Sequence, residues 1–301
     1  KVGVSKTTVH YALRGTGRVS SLTSSRILKV AKQLGYRPNG LARSLRLRRT
    51  ETLAVVLGNL ASSFHAHVVE GIDQMAQEQN YAILLGCTYG SPRKEQEMIE
   101  TLLGKGVDGL IIAPSDPKAN LAYYKMLIEE GIRFLFLNRE VPGIDVDFVS
   151  TDNLQGGSLA VKHLIRQGRK KIVCVSTIST KRRSSWVRDR LAGARMALRE
   201  AGLDTLSVVG PNQGDVSLEE EFAYKAMMAH LKTTSPSFDG IFAIHDGLAY
   251  GTIRALLDSG LRVPEDVAVI GFDDQDPSAF IQPPLTTIRQ PMREIGAAAA
   301  R

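Results

Sequence analysis

The chain has 301 residues, 43% hydrophobic and 23% charged, with 38 Lys and Arg against 31 Asp and Glu and a net charge of +7. That is enough chain for about two domains of ordinary size, and a globular composition with ample core material. No run of about 18 apolar residues is present and the opening KVGVSKTTVHY lacks the apolar stretch of a secretory signal, so neither a membrane span nor export is expected.

The charge is unevenly placed. Residues 1–50 carry 12 Lys and Arg and no Asp or Glu, which leaves 26 basic and 31 acidic residues for 51–301. The head therefore stands at +12 and the body at −5. A segment this one-sided repels itself unless a polyanion neutralises it, and nucleic acid is the usual polyanion. A disordered basic tail is the alternative, and the apolar pattern inside the head argues against it.

In chain order, Ser5 precedes KTTVHYALR, where Val9, Ala12 and Leu13 fall on one helix face, with Ser5 as N-cap and Gly15 as stop. After GTGRVS a second helix is predicted from about Ser21 to Leu34, ended by Gly35, with an apolar face of Leu22, Ile27, Val30, Ala31 and Leu34. Tyr36-Arg37-Pro38 should be extended, because the residue before proline is pushed out of the helical region. The amphipathic stretch GLARSLRLRR is too short to hold a helix alone in water.

From Thr52 onward, apolar runs alternate with helical stretches: TLAVVL, AILLGC, GLIIAP, RFLFLN, FVST, KIVCVST, SVVG, GIFAIH and VAVIGF. Continuous apolar runs separated by helices indicate parallel strands buried on both faces. They form two series either side of about Asn153, and VDGLIIAP in the first is echoed by FDGIFAIH in the second. The expected architecture is a small all-α head followed by two doubly wound α/β lobes with a cleft between them. Cys87 and Cys174 lie far apart in strand-like runs and read as buried thiols in a reducing cytoplasm. Enzyme signatures are missing: GTG at 15–17 follows a helix rather than a strand, His65 and His67 sit on different sides of a helix, and no G-x-S-x-G elbow occurs. No cofactor or metal is expected.

The ordered set VSKTTVHYAL, Val19-Ser20, Thr23, LGYRPN, LARSL, DGLIIAPS, LNR, STDN, DRLAGARMAL, IHDGLAYGTIRAL, VPEDVAVIGFDD and PPLTTIRQP resembles the lac/gal repressor family of bacterial transcription factors along essentially the whole chain. The resemblance implies a helix-turn-helix DNA-binding head over residues 1–38, a hinge helix at 39–50, and an effector domain that shares its fold with periplasmic sugar-binding proteins. Its N-terminal lobe would be 51–152, with 275–301 returning to it, and its C-terminal lobe 153–274. Family chains begin with a further helix before Lys1, so these residues start inside the motif, and Lys1 and Arg301 read as cut ends.

By position the resemblance puts Lys6, Thr7, His10 and Tyr11 on base edges, and Thr8, Arg14, Arg18, Ser20 and Thr23 on phosphates. His10 and Tyr11 are also candidates for packing inside the head. Leu45 takes the place of the family's minor-groove wedge, flanked by Ala42 and Arg46. The implied effector contacts are Ser63, Phe64, Tyr89, Ser115, Arg139, Asp152, Trp186, Arg190, Asp246 and Asp273. Arg190 and Asp273 suit adjacent hydroxyls, and Trp186 suits a sugar face or an exposed loop. Asp246 could instead cap the helix after GIFAIH. Several positions depart from the family pattern: Ser62-Ser63-Phe64-His65, Asn138 and His245. The basic loop TKRRSSW raises an anionic effector, with a solvated basic loop as the alternative. The implied function is a homodimeric repressor of a palindromic operator, released or engaged by a small sugar-like molecule. Activation and corepression stay open at this stage.

Overall fold

The computed structural model describes residues 2–36, 49–61, 63–176, 185–203, 206–210, 219–233 and 238–301. It divides into two units, Lys1–Thr50 and Glu51–Arg301. In the first unit, helix α1 (Lys6–Arg14) starts at Ser5, whose Oγ accepts from the Thr8 N–H at 3.1 Å. It stops at Gly15, which takes the left-handed conformation that glycine tolerates best, at φ 63°. Helix α2 (Ser21–Gln33) is capped by Ser20 in the same way and leaves through Leu34 and Gly35, with the Tyr36 N–H returning to the Ala31 carbonyl at 2.9 Å. Ala12 and Ile27 are buried where the helices meet. The predicted α2 face is only partly covered: Val30 and Ala31 are half-buried, whereas Leu22 and Leu34 are exposed. Helix α1, nine residues long, covers too little of α2 to bury more than one seam.

The second unit holds two parallel five-stranded sheets. In chain order its elements are β1 (Thr52–Leu57), α3 (Ser63–Glu78), β2 (Ala82–Cys87), α4 (Pro92–Leu103), β3 (Gly109–Ile112), α5 (Leu121–Glu129), β4 (Phe134–Leu137) and β5 (Phe148–Val149). The second lobe follows with α6 (Asn153–Arg166), β6 (Ile172–Val175), α7 (Ser185–Glu200), β7 (Ser207–Val209), α8 (Glu219–Thr233), β8 (Gly240–Ala243), α9 (Asp246–Asp258), β9 (Ala268–Asp273), a 3-10 turn (Asp276–Ala279), β10 (Thr286–Arg289) and α10 (Met292–Ala300). The strand orders are β2-β1-β3-β4-β5 and β7-β6-β8-β9-β10. Both lobes thus carry the same doubly wound order, and the echoed motifs fall on β3 and β8, the equivalent third strands.

Strand β1 shows why its sequence is continuously apolar. Ala54 and Val56 pack with Ile99, Leu110, Tyr124 and Phe136 on one face, while Val55 and Leu57 pack with Val68, Ile72, Leu137 and Ile295 on the other. Strand β2 departs from the expected two-sided burial. It is the edge of its sheet, and Ala82, Leu84 and Leu85 are exposed.

The lobe boundary also needs correcting. Residues 275–301 were expected to return together to the first lobe, yet β10 pairs in parallel with β9, Thr287 opposite Gly271 and Ile288 opposite Phe272. The return begins only with α10, whose Met292, Ile295 and Ala299 complete the first lobe's core. The TTIR run was missed as a strand because two threonines and an arginine interrupt its apolar pattern.

Glycines set the helix spacing in both lobes. A Cβ on Gly193 of α7 would lie 1.9 Å from the Leu154 carbonyl oxygen of α6, and one on Gly296 of α10 would lie 2.0 Å from that of Val68 on α3. Gly193→Ala and Gly296→Ala are each expected to destabilise the protein by about 1–3 kcal/mol through overpacking. Urea unfolding would read this as an earlier midpoint with an unchanged slope.

Candidate functional site

The head presents its candidate base readers together. Lys6, Thr7, His10 and Tyr11 recur at helical spacing on one side of α1, and Lys6, Thr7 and His10 are exposed. Tyr11 does two things at once. Its ring lies against the turn, where a Cβ on Gly17 would meet its Cγ at 2.8 Å, yet 43% of the residue is exposed. The hydroxyl candidates are already engaged: Thr8 Oγ1 is 2.9 Å from Ser5 Oγ, and Ser20 Oγ donates to Thr23 Oγ1 at 2.8 Å. Neither helix has an acidic residue in its first turn, so both amino ends keep the positive potential that favours a phosphate. Arg18 is exposed beside them, and Arg14 is the last residue of α1. Ala42, Leu45 and Arg46 lie outside the described residues, as does the basic stretch 181–183.

In the second unit the chain leaves the first lobe after β5 and enters the second at α6, then goes back after β10 into α10. Both crossings follow the carboxyl ends of strands. The Thr151 hydroxyl donates to the Gln290 side chain and ties the two crossings to each other. The carboxyl ends of both sheets therefore border the interlobe region, where ligands of open α/β sheets bind.

The second lobe builds its side around Arg190, on α7 and only 4% exposed. Its Nε donates to Asn153 Oδ1 at 2.8 Å, and its Nη1 donates to the Ile244 carbonyl at 2.5 Å and to Asp273 Oδ1 at 3.4 Å. The guanidinium lies 3.5 Å from the Phe272 ring centroid and 4.8 Å from that of Trp186. Burial lowers the Arg190 pKa to about 10, opposed by the Asp273 charge. Burial likewise raises the Asp273 carboxyl, opposed by Arg190 and His245. Trp186 is half-buried at the start of α7, with its ring beside the Arg190 guanidinium.

Asp273 also accepts from Gln290 Nε2 at 2.6 Å and sits at φ 127°, a strained backbone for any residue but glycine. Asp246 is not the cap of α9. His245 is the N-cap of α9, its Nδ1 accepting from the Leu248 N–H at 3.4 Å. The Asp246 carboxylate accepts from the Thr287 hydroxyl at 2.6 Å, the Ser278 hydroxyl at 2.9 Å and the Gln275 N–H at 2.8 Å. With these bonds it braces the segment between β9 and β10. Asp152 caps α6, its Oδ1 accepting from the Gln155 N–H at 2.8 Å, and the residue is exposed.

The first lobe builds its side on Ser115, after β3. Every polar group of Ser115 is held: its N–H by Glu95 at 2.6 Å, its carbonyl by Arg139 at 2.8 Å and its hydroxyl by Thr88 at 2.8 Å. Arg139 reaches the Pro114 carbonyl as well, at 2.6 Å. Glu95 is fully buried and also accepts from Asn120 Nδ2 at 2.8 Å and from the Tyr124 hydroxyl. Phe64 is mostly core, whereas Ser63 Oγ and His65 Nδ1 are buried with no hydrogen-bond partner among the described residues. Tyr89 stands apart at 73% exposed, its ring beneath the Lys94 ammonium at 5.2 Å.

Sequence reasoning missed Asn153, Glu95 and Gln290. Asn153 was legible in the STDN motif already noted, and Gln290 in PPLTTIRQP. Glu95 had no signal, since an acidic residue in PRKEQEMIE reads as surface.

Burial holds His245 and His65 down to about 4, with Arg139 adding to the effect on His65. In the unfolded chain both titrate near 6.5. As pH falls from about 6.5 toward 4 the unfolded state takes up protons that the folded state refuses, so stability declines across that window. His245→Asn is expected to flatten this slope when urea unfolding is followed between about pH 7 and 4.5.

Comparison with known proteins places these features. Residues 1–39 match the family described as "Bacterial regulatory proteins, lacI family", and residues 161–301 match "Periplasmic binding protein-like domain". The chain is 31% identical to the HTH-type transcriptional regulator DegA of Bacillus subtilis (strain 168), over 98% of this chain and 86% of that protein. It is also 31% identical to the ribose operon repressor of Escherichia coli (strain K12), over 98% and 87%. A solved lac repressor dimer bound to operator and the anti-inducer ONPF superposes with a TM-score of 0.84 at 25% identity, covering 99% of this chain and 88% of that one. An acid-free helical head and a two-lobed body with a polar cluster at its strand ends thus have one common explanation: the chain belongs to the lacI family of bacterial regulatory proteins.

Proposed function

We propose that this chain is a cytoplasmic repressor that binds a palindromic operator as a homodimer and answers to a neutral, polyhydroxyl effector held between its lobes. The observation that carries the effector class is charge balance at the strand ends. Arg190 is matched by Asp273, and Arg139 lies in the field of Glu95 with its hydrogens on two carbonyls. Burial keeps His65 and His245 neutral. An anionic ligand would have to displace one of these pairings, whereas hydroxyls would add to them. Ser63 Oγ and His65 Nδ1 offer such hydroxyls further partners.

In the head, α1 supplies the base readers Lys6, Thr7, His10 and Tyr11, with Arg14, Arg18 and the two helix amino ends on phosphates. Leu45 acts as the minor-groove wedge between Ala42 and Arg46. Effector closure of the lobes changes how paired hinge segments meet the operator, a coupling that is reciprocal between the two sites.

The test is a DNA-binding titration against the chain's own upstream region and a scrambled control, with D-ribose, cellobiose and gluconate added in turn. Neutral sugars should change operator affinity and gluconate should not; a response to gluconate alone would sink the neutral-effector reading. Arg190→Ala should remove the response while leaving ligand-free operator binding intact. Leu45→Ala should weaken the operator far more than scrambled DNA.

The exposed β2 edge, with Leu84 and Leu85, is the face we assign to the dimer. Leu84→Lys is expected to shift the protein toward monomer in sedimentation equilibrium at micromolar concentration and to weaken operator binding with it.

A further inference from the structure

Outside the effector site, four charged groups meet where the two lobes touch. His67 and Glu70 come from α3, Arg293 comes from α10, and Asp276 comes from the 3-10 turn after β9. His67 Nδ1 is 3.0 Å from Glu70 Oε2, and its Nε2 is 3.0 Å from Asp276 Oδ1. Arg293 donates to Glu70 at 2.8 and 3.0 Å, and its Nη2 stands 3.2 Å from His67 Nδ1. The remaining charged groups around this open depression are Asp274, Arg289 and Glu294, with Arg289 donating to Asp274 at 2.5 Å. Among the described residues, His67–Asp276 is the one ion pair joining the first lobe's helices to the turn after β9. The side chain of Asp276 is 68% exposed, so solvent protons reach the pair.

We propose that His67 is a proton-operated latch between the lobes. Charged, the imidazole has two N–H groups and donates to both carboxylates, one on each lobe. Neutral, it has one. Arg293 is placed to donate to the bare Nδ1 while still holding Glu70, and Nε2–H keeps Asp276. Deprotonation therefore turns the interlobe ion pair into a single uncharged-donor hydrogen bond and slackens the latch. The neighbouring carboxylates raise the His67 pKa above its ordinary 6.5, Glu70 first and Asp276 second, against partial burial and the Arg293 charge. The ion pair is thus made at low pH and reduced to an uncharged-donor hydrogen bond as pH rises through the raised pKa, opposite in sign to the buried His65 and His245.

The latch is wired to both walls of the site described above. His67 lies one helical turn beyond Ser63, and Asp276 lies three residues beyond Asp273. Its regulatory consequence, a pH-dependent effector response, rests on the effector reading; the latch itself does not.

The test uses the full chain without effector or DNA. Histidine Cε1–Hε1 resonances are titrated by NMR, with the His67 signal identified by its loss in His67→Gln. Asp276→Asn, an exposed and conservative change, should lower the His67 pKa by at least about half a unit. By linkage that equals about a threefold change in the balance between latched and unlatched lobes. Residual dipolar couplings should show the lobes reorienting between about pH 6 and 8.5 in wild type and not in His67→Gln or Asp276→Asn. Glu70→Gln, a change within one lobe, should lower the pKa and leave the reorientation in place. A His67 pKa that is equal in wild type and Asp276→Asn would overturn the proposal. Lobes whose orientation is the same at both pH values would overturn it too.

Discussion

One buried cation organises the second lobe. The guanidinium of Arg190 would be expensive to desolvate alone, so the fold surrounds it with an aspartate, a strand-end carbonyl, an asparagine and two aromatic faces. These partners come from α6, α7, β8 and β9, so satisfying the charge fixes where four elements end. The backbone cooperates. A Cβ on Gly157 would lie 2.0 Å from the Arg190 carbonyl oxygen, and the bare glycine lets α6 and α7 approach closely enough for Asn153 to reach the arginine. A ligand arriving at these strand ends meets groups already paid for in orientation, which limits the entropy lost on binding.

The first lobe solves the same problem with a buried anion. Glu95 receives a backbone N–H, an amide and a phenol, and the field it sets up is answered by Arg139 across the Ser115 loop. Each wall therefore pairs a buried cation with a buried carboxylate, Arg190 with Asp273 in one lobe and Arg139 with Glu95 in the other. The lobes are joined by the crossings after β5 and β10 and by groups that touch across them, Thr151 with Gln290 and His67 with Asp276.

Much of this was legible in the sequence, for physical reasons that also mark where legibility ends. Two-sided burial forces continuous apolar runs, so β1, β3, β6, β8 and β9 announce themselves, and the VDGLIIAP and FDGIFAIH echo lands on equivalent strands. Serine caps and left-handed glycines likewise locate α1 and α2 within a residue. Edges escape this logic. AILLGC reads as a buried strand but lies open at the sheet edge, and TTIR, with no continuous apolar run, still extends a sheet. Direction escapes it too. The resemblance gave Asp246 and Asp273 the same role, yet the structure aims one carboxylate into the Thr287 and Ser278 hydroxyls and the other toward Arg190. Partners distant in sequence decide such orientations, and no local pattern encodes them.

The open edge of β2 has a consequence for the life of the molecule before it finds a partner. An unpaired strand edge with leucines outward is a template for any other extended chain, and natural proteins usually blunt such edges with charge or proline. Here AILLGC carries neither. If a second copy covers it, as proposed for the dimer, dilution leaves the edge uncovered. The pairing proposed for this face would then remove an aggregation template as it forms.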